Sequence, residues 1–214
     1  MRKIVILITL MVLFTISTGC ALNRKDKPNS SPSLSSINTE AETWQNAYTA
    51  FLKDLPVLPD KSTYSFALRN LDNEETPELL IIQQDENALN AVLTVYAYNG
   101  NVHKIGDYSN QKESFVGGFR FSNKLEFPGL FECWWGGGVE HYGYLSVKEK
   151  QLVFEDLWRM NLTSDTPQKT EISGNKELIN ESINVFPSDD NTDNLLEMHL
   201  VNNENIDKII QKQP

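Results

Sequence analysis

Side chains that carry oxygen alternate along two short segments of the chain, at a spacing suited to binding a hard cation. The candidate ligands are Asn70, Asp72, Glu74 and Glu78 in the first segment and Asp189, Asn191, Asp193 and Glu197 in the second. Calcium takes carboxylate and amide oxygens from such loops, which need a residue that turns the chain sharply. The sequence favours a solvated polar turn in both segments, with calcium as the alternative and the second segment as its better candidate.

Two adjacent tryptophans, Trp134 and Trp135, precede three consecutive glycines. Neighbouring residues of a strand point to opposite faces, so one ring belongs to a core while the other meets solvent or a ligand. Core packing followed by a glycine turn is the favoured interpretation. The alternative is an aromatic platform for a sugar, a peptide or a protein, with both tryptophans as the candidate ligand-binding residues.

Enzymatic arrangements of side chains find little support in the sequence. Cys133 and His141 are considered as a nucleophile pair, but Cys133 lies in an apolar run that raises the pKa of a thiol, and His141 is better explained as a neighbour of Trp158. The carboxyl groups considered as a glycosidase pair are those of Glu126, Glu132 and Glu140. None of the common hydrolase, zinc-protease, phosphate-binding or dinucleotide motifs occurs. No catalytic residue is assigned.

The N-terminus has the pattern of an export signal that ends at a cysteine. Arg2 and Lys3 precede an apolar run over residues 4–16, and small residues lead to Gly19 and Cys20. This pattern resembles the lipobox of bacterial lipoproteins. The resemblance implies a signal peptide over residues 1–19 and a diacylglyceryl group with palmitate-type acyl chains on Cys20. It implies attachment to membrane lipid on the extracytoplasmic face, and to the outer membrane in a two-membrane bacterium because Ala21 is not an aspartate.

Composition divides the rest of the chain in two. Residues 20–38 are rich in Ser, Asn and Pro, which predicts a flexible tether after the lipidated cysteine. Residues 39–214 have the length of a single domain. The net charge of −10 argues against a nucleic-acid partner.

The segment from Asn70 to Leu80 also carries a resemblance. It is similar to the Asp-x-Asp-x-Asp-Gly-x-Pro-Glu-Leu segment of uncharacterised secreted and lipid-anchored bacterial proteins, which resembles the calcium loops of FG-GAP repeats. The resemblance implies calcium. Here Asn70 replaces an aspartate and Glu75 replaces the glycine, where a Cβ strains a positive φ.

Apolar spacing predicts the elements that position these residues. A helix is expected where apolar residues recur at helical spacing, at Trp44, Ala47, Tyr48, Phe51, Leu52 and Leu55, with Thr39 and Glu42 as a capping box. A short last helix is expected after Asn203 as its cap. Strands are expected at residues 64–68, 79–83, 91–98, 101–107, 115–121, 125–135, 139–147, 151–162, 183–186 and 195–201.

Two turns predict the register of two hairpins. A two-residue Asn99-Gly100 turn places Tyr96 opposite His103. A two-residue turn at Glu149 and Lys150 places Gly143 opposite Asp156, and His141 opposite Trp158. His141 is therefore predicted to be half-buried beside the indole of Trp158.

Together these patterns predict an α+β domain. Its core is a mainly antiparallel β meander, with an N-terminal amphipathic helix and a short C-terminal helix. The predicted function is that of a lipid-anchored, non-enzymatic binding module of the cell envelope whose partner is an envelope protein or glycan. The alternatives are a hydrolase of envelope glycan or peptide, and a calcium-stabilised interaction module.

Overall fold

Alternating apolar residues build two antiparallel sheets in the computed structural model, which describes residues 43–58, 62–84, 91–109, 118–163, 165–186 and 194–212. The first sheet has the order β10-β1-β2-β3-β4. Its strands are β1 (Thr63–Arg69), β2 (Glu78–Gln84), β3 (Val92–Tyr98), β4 (Val102–Ser109) and β10 (His199–Leu200).

The second sheet is a meander in chain order. Its strands are β5 (Phe119–Phe121), β6 (Leu130–Gly136), β7 (Val139–Lys148), β8 (Gln151–Asn161) and β9 (Gln168–Glu171). Within the described ranges, three short helices accompany the sheets: α1 (Trp44–Lys53), α2 (Lys176–Val185) and α3 (Asn203–Ile209). This mostly antiparallel β structure with short helices is consistent with the predicted α+β class.

In the part of the chain that the structure describes, three clusters of buried side chains hold these elements in layers. Between the sheets, the cluster includes Leu80 and Val95 from the first sheet and Leu130 and Leu145 from the second. A second cluster packs α1 and α3 on the outer face of the first sheet, and a third packs α2 on the outer face of the second sheet. Each large side chain that is fully buried contributes about 1.5–3 kcal/mol of transfer free energy. The two sheets therefore lie face to face, with helices outside.

Helix α2 replaces a predicted strand. A strand was expected at residues 183–186, but most of them lie in the last turn of α2. Leu178, Ile179 and Val185 are buried at helical spacing, and that packing decides the structure. Neither α2 nor strand β9 was predicted.

Other boundaries also differ from the prediction. Of residues 195–201, only His199 and Leu200 form a strand, with an isolated bridge at Leu195. Residues 125–129 precede β6 as a loop, and residues 115–117 lie outside the described part of the chain. The remaining predicted strands are confirmed to within two residues.

Both predicted helix caps are wrong. Helix α1 is capped by Thr43, whose hydroxyl accepts a hydrogen bond from the Asn46 amide, and not by Thr39. Helix α3 is capped by Asn202, whose side chain accepts from the Asn205 amide, one residue before the predicted cap. Each predicted cap has an equivalent polar residue one or four positions away, so local sequence does not choose between them. Thr39 and Glu42, the predicted capping box, lie outside the described residues.

The first hairpin is confirmed, but its register is shifted. Asn99, Gly100 and Asn101 form a three-residue turn, so His103 pairs with Ala97 and not with Tyr96. Among these turn residues, Gly100 has the positive φ, of 96°.

The second hairpin is confirmed up to one irregularity. Glu149 and Lys150 form the two-residue turn with φ of 51° and 62°, and Gly143 pairs with Asp156 as predicted. A bulge at Leu157 then shifts the register, so His141 pairs with Arg159 while Trp158 pairs with Tyr142. The predicted contact between His141 and Trp158 is therefore wrong.

Candidate functional site

The first candidate cation segment forms a closed turn, which we call the acidic turn (residues 70–78). Asn70 Oδ1 accepts hydrogen bonds from the backbone amides of Asp72 and Asn73, at 3.3 and 2.5 Å. Asp72 Oδ1 accepts from the amide of Glu74 at 2.8 Å. The left-handed residue is Asn73, with a φ of 66°, so the strain expected at Glu75 does not arise. One side-chain oxygen each of Asn70 and Asp72 is thus used by the loop's own amides.

Glu78 ends the acidic turn in a buried position, with 3% of its surface exposed. Its Oε2 accepts a hydrogen bond from the Leu71 amide at 2.7 Å. Burial raises the pKa of Glu78 to about 7, an effect that the Leu71 hydrogen bond partly offsets. Glu78 therefore anchors the turn to the space between the sheets.

The structure brings no group of three or more His, Cys, Asp or Glu side chains into a metal-binding arrangement within its described residues. In the second candidate segment, Asp189, Asn191 and Asp193 lie outside those residues. Glu197 is exposed, and its carboxylate lies 3.7 Å from Nδ1 of His199.

The acidic turn separates two cavities of different chemistry. The first, of about 100 Å³, is lined on its polar side by Asp72, Glu74, Thr76, Glu78, Asn99, His103 and Lys150. The second, of about 400 Å³, is lined by Arg69, Asn70, Asn73, Ser122, Asn123, Lys124, Leu125 and Pro128. We call the second cavity the Arg69 pocket. Carboxylates thus face one side of the turn, and amide and cationic side chains face the other.

The adjacent tryptophans point to opposite faces of β6, as predicted. Trp134 is partly buried and stacks on His141, with ring centroids 3.6 Å apart and planes at 6°. Trp135 is 50% exposed and pairs with Glu140 of the neighbouring strand β7. The two candidate ligand-binding rings are therefore not parts of one platform.

Trp135 belongs to the outer face of the second sheet, where helix α2 also packs. In one row across the strands, Trp135, Glu140 and Met160 are neighbours; we call this row the aromatic surface. The Tyr142 hydroxyl donates to Glu140 at 2.8 Å. Tyr142 itself stacks on Trp158 with centroids 3.7 Å apart. An exposed indole is thus held beside a carboxylate whose position is fixed.

The three glycines end β6 and form its turn. Gly137 and Gly138 connect β6 to β7 with φ of 58° and 79°, backbone conformations that residues with a side chain rarely adopt. Gly136 pairs with Val139 as the last residues of the two strands. The glycine run therefore closes a tight hairpin next to Trp135.

The catalytic arrangements considered from sequence are not brought together. Cys133 lies on the opposite face of β6 from Trp134 and its partner His141, and burial raises the pKa of the Cys133 thiol to about 11. Glu132 pairs with Gly143 on the face toward the first sheet, whereas Glu140 lies on the other face. Glu126 lies in the loop before β6.

Two polar side chains point between the sheets, a placement that the sequence did not predict. Arg69 follows Ser65 and Ala67 in the alternation of β1, and that alternation could have placed it on the inner face. Glu132 is 1% exposed and accepts a hydrogen bond from Tyr108 of the opposite sheet. Its neighbours in sequence are apolar, which is a weak signal of burial.

Comparison of the chain with protein-family models, with curated proteins and with solved structures finds no significant match. Within the described residues, no helix has the length and apolar character needed to cross a membrane.

Calcium should not raise the thermal midpoint through the acidic turn, because the Asn70 and Asp72 oxygens already accept backbone hydrogen bonds. The measurement is a melt in millimolar calcium and then in chelator, with Asp72→Asn as a matched variant that keeps the acceptor oxygen. A calcium-dependent increase that Asp72→Asn abolishes would contradict this expectation. An increase that survives Asp72→Asn but is lost in Asp193→Asn would assign calcium to the second segment.

Proposed function

We propose that this protein is a lipid-anchored extracytoplasmic binding module whose aromatic surface recognises a glycan of the cell envelope. The anchor rests on the sequence, in which an apolar export signal ends at Gly19 and Cys20. Several acyl chains on one cysteine hold a protein at a membrane far more firmly than a single chain does. The folded domain then works beside the envelope polymers.

The exposed Trp135 carries the binding part of the proposal. A large indole that is half exposed on a sheet forfeits burial energy unless a ligand covers it. Its neighbour Glu140 presents a carboxylate held by Tyr142, which can accept hydrogen bonds from sugar hydroxyls. An aromatic ring beside a fixed acceptor suits a pyranose, whose faces carry C–H groups and whose edge carries hydroxyls.

The non-enzymatic part is supported by the placement of the carboxyl groups. A glycosidase needs two carboxyl groups that flank one bond, about 5–10 Å apart. Glu132 and Glu140 lie on opposite faces of the second sheet, with the sheet between them. No metal is proposed at the acidic turn. For the second segment, calcium stays the alternative that the melt described above tests.

The anchor is tested by the intact mass of the protein extracted from membranes, compared with a Cys20→Ala variant. We expect a mature chain that begins at Cys20 and carries two or three acyl chains, absent from the variant. A chain recovered without lipid would overturn the anchored function.

Binding is tested by sedimentation with insoluble peptidoglycan. We expect Trp135→Ala to weaken binding about tenfold, since a stacked ring contributes on the order of 1 kcal/mol beyond its buried area. Val57→Ala is the matched control, because Val57 is 98% exposed and lies after α1, on the opposite side of the fold.

Equal binding by Trp135→Ala and the unchanged protein would contradict recognition through the aromatic surface. An unchanged protein that does not sediment with the polymer would contradict glycan binding. Soluble reducing ends released during the same incubation would favour the hydrolase alternative.

A further inference from the structure

The Arg69 pocket differs in charge from the rest of this acidic chain. The chain carries a net charge of −10, yet none of the described residues that line this cavity is an Asp or a Glu. Its polar lining consists of two cationic side chains, three amides and one hydroxyl. A cavity of about 400 Å³ lies within the size range of pockets that hold small metabolites. The pocket is therefore built to exclude cations and to accept an anion.

Arg69 is the central cation of this pocket. Its guanidinium carbon lies 4.2 Å from the centroid of the Phe121 ring, and its Nη2 donates to the Ser122 carbonyl at 3.2 Å. These contacts come from the second sheet and fix the plane of the guanidinium group. The side chain is therefore positioned before any ligand arrives.

Part of the Arg69 hydrogen-bonding capacity is unused. Its Nε is buried and has no hydrogen-bond acceptor within the part of the chain that the structure describes. Nor does any carboxylate of those residues lie within 4.0 Å of its nitrogens. Burial lowers the pKa of Arg69, the direction expected when a cation loses water without gaining a counter-charge.

The other cation of the pocket is already neutralised. Lys124 Nζ lies 2.5 Å from Glu181 Oε2, and Glu181 also accepts hydrogen bonds from Ser122 and Asn184. The Lys124 side chain is about half exposed, but its ion pair with the buried Glu181 leaves little charge for a ligand. Arg69 is thus the charge that a ligand would neutralise.

The rim of the pocket supplies further donors. Asn123 is exposed, and its amide nitrogen makes a long hydrogen bond of 3.3 Å to Asn194. Asn73 donates to the Leu125 carbonyl at 3.0 Å, which ties the acidic turn to the opposite loop. An oxyanion at Arg69 would therefore meet amide donors and would approach no lining carboxylate.

We infer that the Arg69 pocket binds a small molecule through a carboxylate or phosphate group, which accepts hydrogen bonds from the Arg69 guanidinium. Guanidinium N–H groups match the oxygens of either group, and here the ligand would accept from the Nη nitrogens, since Nε is buried. This site lies at the edge between the two sheets and is separate from the aromatic surface. It does not depend on the glycan proposal.

The test is a titration of the full-length protein with sodium succinate and, separately, with sodium phosphate, against sodium chloride at equal ionic strength. The readout is the NMR signal of the Arg69 Nε–H group, which is buried and so protected from rapid exchange. We expect this signal to shift and to saturate with one or both oxyanions, and the tighter ligand identifies the group. Failure to saturate with either, or an equal shift in chloride, overturns the inference.

Variants tie the binding to the pocket. We expect Arg69→Gln to weaken oxyanion binding about tenfold or more, measured by the increase in thermal midpoint with ligand. Asn123→Asp adds a negative charge at the exposed rim, where it should weaken binding without disturbing the core, so it serves even if Arg69→Gln folds poorly. Arg159→Gln is the matched control, because Arg159 is exposed and paired with Asp156 at 2.7 Å. Binding that survives both pocket variants, or that Arg159→Gln abolishes, overturns the assignment.

Discussion

Alanine at position 129 should lower the free energy of unfolding by about 3 kcal/mol or more. A Cβ added to Gly129 would lie 2.1 Å from the backbone oxygen of Leu145 and 2.7 Å from the Tyr144 ring. A backbone atom cannot rotate away, so β6 and β7 would have to separate at the start of their pairing. The same movement would stretch the hydrogen bond from the Gly129 amide to the Tyr144 hydroxyl, now 2.8 Å.

Gly174→Ala is the matched control for this change. Among the residues that the structure describes, no atom beyond its chain neighbours lies within 4 Å of the Cβ position of Gly174, and its φ is not in the left-handed region. Denaturant unfolding of the three proteins gives the comparison. Midpoints that agree for Gly129→Ala and Gly174→Ala would contradict the close approach of β6 and β7 at Gly129.

The domain should lose stability as the pH rises from about 5 to about 8. Burial raises the pKa of Glu132 and of Glu78 to about 7, well above the ordinary value of 4.5. Between these values the folded state binds protons that the unfolded state has released, so the free energy of unfolding falls with increasing pH. The stabilising contribution of protonation is fully present below about pH 4.5 and is lost above about pH 7.

Two other carboxyl groups have lowered pKa values, and these limit the stability of the domain at acidic pH. Contacts with Lys104 and Thr94 outweigh partial burial and hold the pKa of Asp107 below its ordinary value. Contacts with Lys124, Ser122 and Asn184 outweigh burial and hold the pKa of Glu181 below its ordinary value. These two groups lose their stabilising contribution as the pH falls below about 4. We therefore expect maximum stability near pH 5, measured as the denaturant midpoint across pH 3–9.

Replacing Glu132 with glutamine should remove about half of the decrease in the free energy of unfolding between about pH 5 and about pH 8. The amide stays neutral at every pH and still accepts the hydrogen bond from Tyr108, which comes from the opposite sheet. A pKa raised from 4.5 to about 7 corresponds to a stabilisation by Glu132→Gln on the order of 3 kcal/mol at pH 8, with little change at pH 4. Nearby Asp156 adds to the cost of ionising Glu132.

An exposed carboxyl supplies the control for the pH series. Glu149→Gln removes a charge at the exposed β7–β8 turn and should leave the slope of stability against pH unchanged. A Glu132→Gln protein with the same pH dependence as the original chain would show that Glu132 ionises freely, contrary to its burial.

Local periodicity was enough to predict much of the fold. The strands β1–β4, β7 and β8 follow from alternation and turn residues, and the turn at Glu149 and Lys150 gave the correct pairing as far as Gly143. Where the prediction failed, the cause is non-local. Helix α2 forms because its apolar face packs on the second sheet, and that packing outweighs the β propensity of Ile183 and Val185.

The candidate sites were predictable only in part. The opposite orientation of Trp134 and Trp135 follows from strand geometry and is confirmed. Sequence alone did not show that the Asn70 and Asp72 oxygens accept hydrogen bonds from their own turn, since the conformation depends on which residue adopts a positive φ. Arg69 was overlooked because its partners Phe121 and Ser122 lie more than 50 residues away in sequence.

The bulge at Leu157 has a consequence at the level of the gene. Leu157 is buried, and its carbonyl accepts hydrogen bonds from the amides of Ile172 and Ser173, which lead into helix α2. Deleting this one codon would leave the pairing of Tyr142 with Trp158 and of Gly143 with Asp156 unchanged. It would remove the acceptor that holds the start of the next segment. One codon therefore supplies the backbone acceptor that holds the segment before helix α2.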